Sequence, residues 1–429
     1  MTRRSPAAQV ELASLTRRFV VLSALRWFPT GLGLPLIAVL MQSRGLSLAE
    51  IGMVAATQGV VVVVLELPTG GLADALGRRP VLLAASAFDV VAVALLISAH
   101  SPAGFLAAAV VQGMFRALES GPLEAWYVDS SLAVDVGADI EGGLARASTA
   151  LGLAIGGGAL ATAGLVAFTP LGEADALVVP LAIALMLRLV DMAAIARLVT
   201  ETRRRTGLAG ARASVVAAPK VVRSTIRLVA SGSALLALVA VEVLWGAGLV
   251  SVELFSGPRL VDLLGDAEQG VAVFAVAAAL GWAICAMGSS LTARLTSMLG
   301  RDPARTGAVL RVAQGAAVGV MALVGGPVGL VTGYLAFYLV HGAANVVHYG
   351  MVHRLVDADH RTTVLSAHSL AGRLGGAAGG VGLGAVATAT SIPVALALAA
   401  ALLAAAAPLY RVARHGHPAV PASEPQPAL

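Results

Sequence analysis

Long apolar runs, each separated from the next by a short polar connection, recur along the whole chain. A helix rises about 1.5 Å per residue, so about 20 apolar residues cross the roughly 30 Å hydrocarbon core of a membrane. Twelve runs are of about that length, and we number them spans 1 to 12: 18–41, 48–70, 79–99, 103–128, 143–168, 174–199, 230–256, 269–294, 304–324, 327–352, 363–387 and 391–411. The pattern predicts an all-α membrane protein with twelve transmembrane helices.

The composition supports a chain that lies largely in lipid. Hydrophobic residues make up 58% of the sequence and charged residues 12%. Soluble domains average about 45–50% apolar residues and about 25% charged residues. Cationic residues cluster in the connections, so the net charge of +5 does not indicate nucleic-acid binding. The single cysteine, Cys285, lies inside span 8, which excludes a disulfide and a cysteine-based metal site. We expect no catalytic residue, no metal and no cofactor, and therefore no enzyme.

The arginines of the connections are distributed unevenly. If the N-terminus is cytoplasmic, the cytoplasmic connections include Arg78, Arg79 and a basic cluster over 203–227, whereas the opposite connections hold only Arg44 and Arg259. This asymmetry follows the positive-inside rule. We therefore expect a multi-pass protein of the cytoplasmic membrane with both termini in the cytoplasm. No small-residue cleavage site follows a short apolar core, so we also expect span 1 to be retained as a helix.

One long basic connection divides the spans into six and six. We predict an N-terminal six-helix bundle over 1–200, a basic cytoplasmic linker over 201–229, a C-terminal six-helix bundle over 230–414 and a disordered tail over 415–429. The glycine-rich part of span 5 is echoed in span 11, as in transporters built from internal repeats. We expect the glycines of span 5 to permit close packing between helices.

The connection between spans 2 and 3 carries the most specific motif. It reads Gly-Gly-Leu-Ala-Asp-Ala-Leu-Gly-Arg-Arg-Pro over 70–80. The segment resembles the signature loop of the major facilitator superfamily of transporters, G-x-L-A-D-(R/K)-x-G-R-(R/K), and departs from it at Ala75, where the superfamily usually has a basic residue. The resemblance implies two pseudo-symmetric six-helix bundles whose spans 1, 4, 7 and 10 line a central cavity.

The same loop predicts a charge network. Its acid and its two arginines lie close together at the membrane surface, and the flanking glycines allow the chain to reverse. By resemblance, the acid at the end of span 4 joins them to form a latch that opens when the two bundles rock. The alternative is that the arginines only anchor the topology. The residues assigned to the latch are Gly70, Asp74, Gly77, Arg78, Arg79 and Asp129.

Span 10 carries a polar stripe in an otherwise apolar segment. Its members follow one another at intervals of four, three, four and three, which places them on one face of a helix. They are Tyr334, Tyr338, His341, Asn345 and His348. A stripe of this kind lines a cavity, or it joins two helices through polar contacts.

Three other spans hold polar side chains inside the membrane, where such groups are costly and usually functional. Span 4 carries Gln112, Arg116 and Glu119, span 7 carries Glu242 and span 1 carries Arg26. With the stripe, they form the predicted substrate and proton site. A structural ion pair between Arg116 and Glu119 is the alternative for those two residues.

Spans 3 and 6 also contain buried charges, on helices that the resemblance places outside the cavity. Asp89 lies in span 3, and Arg188 and Asp191 lie in span 6. We expect Asp89 to pair with Arg188, because a lone charge facing lipid is unfavourable.

These observations lead to a secondary transporter that works by alternating access, with protons as coupling ions because several protonatable groups lie at mid-depth. We expect a monomer that exports an amphipathic, drug-like compound or secondary metabolite. One alternative is a transporter of organic anions bound by Arg26 and Arg116. A second is a non-transporting receptor on the same fold. The superfamily's antiporter motif needs a Gly-Pro pair that span 5 lacks.

Overall fold

The computed structural model describes residues 5–69, 71–168, 173–201, 232–356 and 358–415, and isolated positions between 207 and 230. Most of the predicted linker, the tail beyond residue 415 and Gly70 lie outside the described residues. The chain divides into two compact units, Met1–Ala218 with Gly257–Ala283, and Pro219–Ser256 with Ile284–Leu429. The predicted domain boundaries stay a prediction.

Every regular element within the described ranges is an α-helix. The first unit contains α1 (Pro6–Gly33), α2 (Ile37–Ser43), α3 (Leu48–Thr69), α4 (Leu72–Leu76), α5 (Arg78–Ser98), α6 (Pro102–Glu119), α7 (Pro122–Val134), α8 (Ile140–Phe168) and α9 (Glu173–Leu198). Two helices contribute residues to both units, α10 (Ser233–Leu264) and α11 (Ala267–Ser290). The second unit continues with α12 (Thr292–Met298), α13 (Pro303–Leu323), α14 (Pro327–Leu355), α15 (Ala358–Ala389), α16 (Ile392–Ala405) and α17 (Leu409–His415).

Ten helical segments of the described residues are long and apolar enough to cross a membrane, and they match ten of the twelve predicted spans. The other two spans are helical as well: α6 and α7 form span 4, and α15 forms span 11. The predicted all-α architecture is therefore confirmed.

Span 4 was predicted as one continuous helix, and the structure breaks it. Gly121 adopts a left-handed backbone with φ of 91°, and Pro122 begins the next helix. Glycine tolerates this conformation without steric cost, and proline suits the first turn of a helix because its missing N–H has no partner there. The Gly-Pro pair explains why the helix stops and restarts.

A capping box between Ser47 and Glu50 begins α3. The Ser47 backbone N–H and hydroxyl both donate to Glu50 Oε2 at 2.8 Å, and the Glu50 N–H donates to Ser47 Oγ at 3.3 Å. This reciprocal pairing satisfies two donors that a helix start leaves without partners.

Glycines bring helix backbones into close contact in each unit. In the second unit, a Cβ added at Gly375 of α15 would overlap the carbonyl oxygen of Val243 of α10. In the first unit, a Cβ at Gly158 of α8 would overlap the carbonyl oxygen of Phe28 of α1. The expectation that the glycines of span 5 permit close packing is confirmed, and those of span 11 pack in the same way. In the second unit, this contact holds the buried side chains of α10 next to those of α15.

Candidate functional site

The motif loop forms part of the predicted charge network. Arg78 donates to Asp129 Oδ2 from Nη2 at 2.6 Å and from Nε at 3.2 Å. The Arg79 backbone N–H donates to Glu201 Oε2 at 3.3 Å, and its side chain donates to the backbone carbonyl of Ala196. The predicted pairing of Arg78 with Asp129 is therefore present. The Asp74 side chain and Gly70 lie outside the described part of the chain.

Gly77 separates α4 from α5 within this loop. Its φ of 99° lies in a region that favours glycine, and its N–H closes α4 on the carbonyl of Ala73. The turn lets α5 begin with Arg78 and Arg79.

Four buried charges form two ion pairs in the first unit. Arg188 and Asp89 meet at 2.8 Å, as predicted, and Arg26 and Asp191 meet at 3.3 Å. Arg188 also donates to the backbone carbonyl of Arg26 at 2.6 Å, and Arg26 donates to the Ser86 hydroxyl at 3.0 Å. These charged side chains are 2–4% exposed. The four charges sum to zero, as burial away from water requires.

The polar residues of span 4 also interact within the first unit. The Gln112 amide donates to Asp89 Oδ1 at 3.4 Å. Arg116 and Glu119 form an ion pair at 3.7 Å, and the Arg116 guanidinium lies 4.8 Å from the ring centroid of Trp27. The intrahelical ion pair that was the alternative for Arg116 and Glu119 is therefore present.

The polar stripe of span 10 lies on α14 and contacts other residues of the second unit. The Trp245 N–H of α10 donates to His341 Nδ1 at 3.3 Å, and the two rings stack with centroids 5.4 Å apart. His341 Nε2 lies 3.0 Å from Asn345 Nδ2. Tyr338 donates to Glu253 Oε1 at 3.5 Å and packs on Tyr334 at 4.8 Å between ring centroids.

A second buried cluster of the same unit joins α10, α14, α15 and α17. His348 Nε2 lies 2.7 Å from His368 Nε2, and His348 Nδ1 lies 2.8 Å from the Tyr410 hydroxyl. The Glu242 carboxylate flanks both rings, at 3.6 Å from His348 Nε2 and 3.7 Å from His368 Nδ1. Glu242 is 3% exposed and both imidazoles are fully buried. We call Glu242, His348, His368 and Tyr410 the carboxylate–imidazole cluster.

Comparison with known proteins agrees with this helical architecture. The sequence profile described as Major Facilitator Superfamily matches residues 19–380, most of the chain.

The chain belongs to the major facilitator superfamily. No curated protein sequence matches it.

Solved structures share the fold of this superfamily member at low sequence identity. A nucleoside transporter, NupG, is 13% identical with a TM-score of 0.75, and the match covers 92% of this chain and 98% of that one. A peptide transporter, POT, solved in complex with sulfate, is 15% identical with a TM-score of 0.68 and coverage of 96% and 100%. Membership of this superfamily makes the protein a multi-pass membrane transporter and not an enzyme.

The sequence prediction missed three polar residues of the transporter's second unit. Arg311 and Gln314 of α13 are fully buried, and Arg311 donates to Gln314 Oε1 at 2.6 Å. Gln314 reaches His341 Nδ1 at 3.5 Å, and the Arg311 guanidinium lies 5.9 Å from the Trp245 ring centroid. The third is His368, in span 11. A signal was available for all three, because a polar residue inside a membrane span is unusual wherever it occurs.

The structure thus brings the predicted site residues together in separate groups. Glu242 meets His348, while His341 and Asn345 meet each other beside Trp245. Arg26 is held by Asp191 in the first unit. Whether each group binds substrate or protons stays a prediction.

Proposed function

We propose that this transporter moves an amphipathic small molecule by alternating access and couples the movement to protons through Glu242. One observation carries the proposal. Glu242 is a buried carboxylate of the second unit that contacts two imidazoles. Among the described residues, no arginine or lysine lies within 4 Å of this carboxylate.

The first unit provides the contrast. Asp89 and Asp191 are as buried as Glu242, but each has an arginine within 3.3 Å. A carboxylate paired in this way stays ionised, whereas one without a cation partner is accommodated in an apolar span by taking up a proton. Glu242 is therefore suited to bind a proton in one conformation and to release it in another, with His348 and His368 as neighbours that can relay it.

The substrate proposal rests on the partners of the arginines. An organic anion was the alternative because of Arg26 and Arg116, yet each has a carboxylate partner, at 3.3 Å and 3.7 Å. An anion would have to displace a negative charge of the protein from either one. The aromatic rings of Trp245, His341 and Tyr338 offer stacking surfaces for an amphipathic compound.

The flux of three chemically different probes tests the proposal. Proteoliposomes with purified protein are given a pH gradient and then ethidium, uridine or a dipeptide, with and without a protonophore. We expect ethidium to move in a gradient-dependent way that the protonophore abolishes and that Glu242→Gln impairs. Glu141→Gln makes the same change at an exposed carboxylate and should leave the flux unchanged.

Each other outcome has a distinct meaning. Movement of uridine or the dipeptide alone would replace the proposed substrate class. Flux that persists with the protonophore, or that is equal in wild type and Glu242→Gln, would contradict proton coupling at this carboxylate.

A further inference from the structure

We propose that Glu242, His348 and His368 form a binding site for a divalent transition-metal cation of the Zn²⁺ type. The inference goes beyond the proposed transport of an amphipathic molecule and does not rest on it, because it concerns equilibrium binding. It also revises the expectation from the sequence that the chain has no metal site, which was made without His368.

The donor set fits such a cation. One carboxylate and two imidazoles supply oxygen and nitrogen ligands, and their ligand atoms all lie within 4.8 Å of one another. Zinc sites of three protein ligands commonly use two histidines and a glutamate and keep a fourth position open. Ligand atoms about 2.0–2.1 Å from a tetrahedral metal are about 3.3 Å apart. The carboxylate-to-imidazole distances of 3.6 and 3.7 Å are close to that value.

The two imidazoles also contact each other directly. Their Nε2 atoms are 2.7 Å apart, which is a direct hydrogen bond. With His348 Nε2 and His368 Nδ1 as the ligand atoms, a metal would replace this hydrogen bond, because the lone pair of His348 Nε2 would point at the cation instead of accepting from His368 Nε2. Gly372, one turn after His368 on α15, leaves space for the carboxylate to adjust, since even a methyl group there would come within 3.1 Å of Glu242 Oε1.

An unsatisfied nitrogen provides an independent indication of a missing partner. His368 Nδ1 is buried and has no hydrogen bond, although it faces Glu242 Oε1 at 3.7 Å. In one arrangement of the ring hydrogens, His348 Nδ1–H donates to the Tyr410 hydroxyl, and His348 Nε2 accepts from His368 Nε2–H. His368 Nδ1 then carries no hydrogen, and its lone pair faces the Glu242 carboxylate. In the opposite tautomers Nδ1 carries a hydrogen, but 3.7 Å is too long for a hydrogen bond. In the first arrangement, a cation between the two groups would satisfy both.

The second shell of the cluster resembles that of metal sites. A histidine that binds a metal through one nitrogen usually holds a hydrogen-bond partner with the other, which fixes the orientation of the ring. His348 has this arrangement, with Nδ1 at 2.8 Å from the Tyr410 hydroxyl and Nε2 directed at the other two ligands.

One nearby charge opposes cation binding and so provides a sharp test. The Arg311 guanidinium interacts with the Tyr410 hydroxyl and acts electrostatically on Glu242 and His348. Its positive charge should weaken the binding of a metal. Neutralising it should strengthen that binding, an effect that a purely structural role of Arg311 would not produce.

The test is equilibrium binding to the purified full chain in detergent, with any affinity tag removed. Zn²⁺ is titrated by calorimetry, and Co²⁺ serves as a spectroscopic probe. Four-coordinate Co²⁺ absorbs visible light far more strongly than six-coordinate Co²⁺, so the spectrum reports the number of ligands. We expect one high-affinity ion per chain. His368→Gln and Glu242→Gln should each weaken binding by at least about tenfold. Arg311→Gln should tighten it several-fold.

Two further measurements keep the test decisive. His341→Gln changes a histidine on the same helix as His348 but outside the cluster, and it should leave the affinity unchanged. If a ligand variant does not fold, the wild-type Co²⁺ spectrum still decides, since strong bands support the site and weak six-coordinate bands contradict it. Absence of stoichiometric binding, or equal affinity in wild type and a folded His368→Gln, would overturn the proposal whether or not the flux experiment succeeds.

Discussion

The buried pair of Asp89 and Arg188 allows a quantitative test of whether the charges of the first unit are structural. The perturbation is to neutralise each partner alone, with Asp89→Asn and Arg188→Gln, and then both together. Each single change leaves one uncompensated charge among side chains that are 2–4% exposed. The double change leaves none.

The geometry sets the expected size of the effect. At the separation of 2.8 Å, with an effective dielectric constant of about 20, the direct attraction is about 6 kcal/mol. Desolvation of the two ions offsets most of that gain, so the intact pair contributes little net stability. Removal of one partner forfeits the attraction while the other charge stays buried, which costs about 3–5 kcal/mol. The double variant should therefore be more stable than either single variant, by about 2 kcal/mol or more.

Stability is measured by SDS titration of the detergent-solubilised protein, with helical circular dichroism as the signal. Arg414→Gln is the matched control, because it breaks an exposed pair with Asp302 at 3.4 Å that should contribute less than about 1 kcal/mol. A double variant that is as unstable as the sum of the two single variants would refute the reasoning. So would single variants that are no less stable than the control.

Three further predictions concern the latch, the helix packing and the polar stripe. Arg78→Ala should reduce transport at equal membrane expression, because it leaves Asp129 without the arginine that lies 2.6 Å away, and unchanged flux would contradict the latch. Gly375→Ala should lower the free energy of unfolding by about 1–3 kcal/mol through overlap with α10, whereas Gly382→Ala on the same helix meets nothing within 4 Å and should not. A cysteine at His341, in a chain whose Cys285 is replaced by alanine, should react with a membrane-impermeant thiol reagent, and no reaction would favour a sealed helix interface.

The spans were predictable because hydropathy is a local property of the sequence. The break at Gly121 in span 4 was missed although its Gly-Pro signal is visible, because the apolar character of the segment continues through it. The pairing of Asp89 with Arg188 was predicted from the cost of leaving either alone in lipid. Electrostatics therefore indicated that a partner must exist, and Arg188 of span 6 lay at a suitable depth.

Side-chain contacts that depend on how the helices pack could not be predicted from hydropathy or from the cost of a lone charge. From its sequence position we expected Arg26 in the site of spans 4, 7 and 10, but the structure pairs it with Asp191, 165 residues further along the chain. His368 was overlooked because it is the one histidine of a glycine-rich span and belongs to no stripe. Its contact with Glu242 follows from the close approach of α10 and α15, which is a property of two helices together.

The central claim is that Glu242 carries the protons that drive transport. Proton movement is measured directly in proteoliposomes that contain the pH-sensitive dye pyranine and receive ethidium without an imposed gradient. We predict that ethidium causes a change of internal pH with wild-type protein and with Glu141→Gln, and none with Glu242→Gln. An equal change of internal pH with Glu242→Gln, or none with the wild type while ethidium still moves, would contradict the claim.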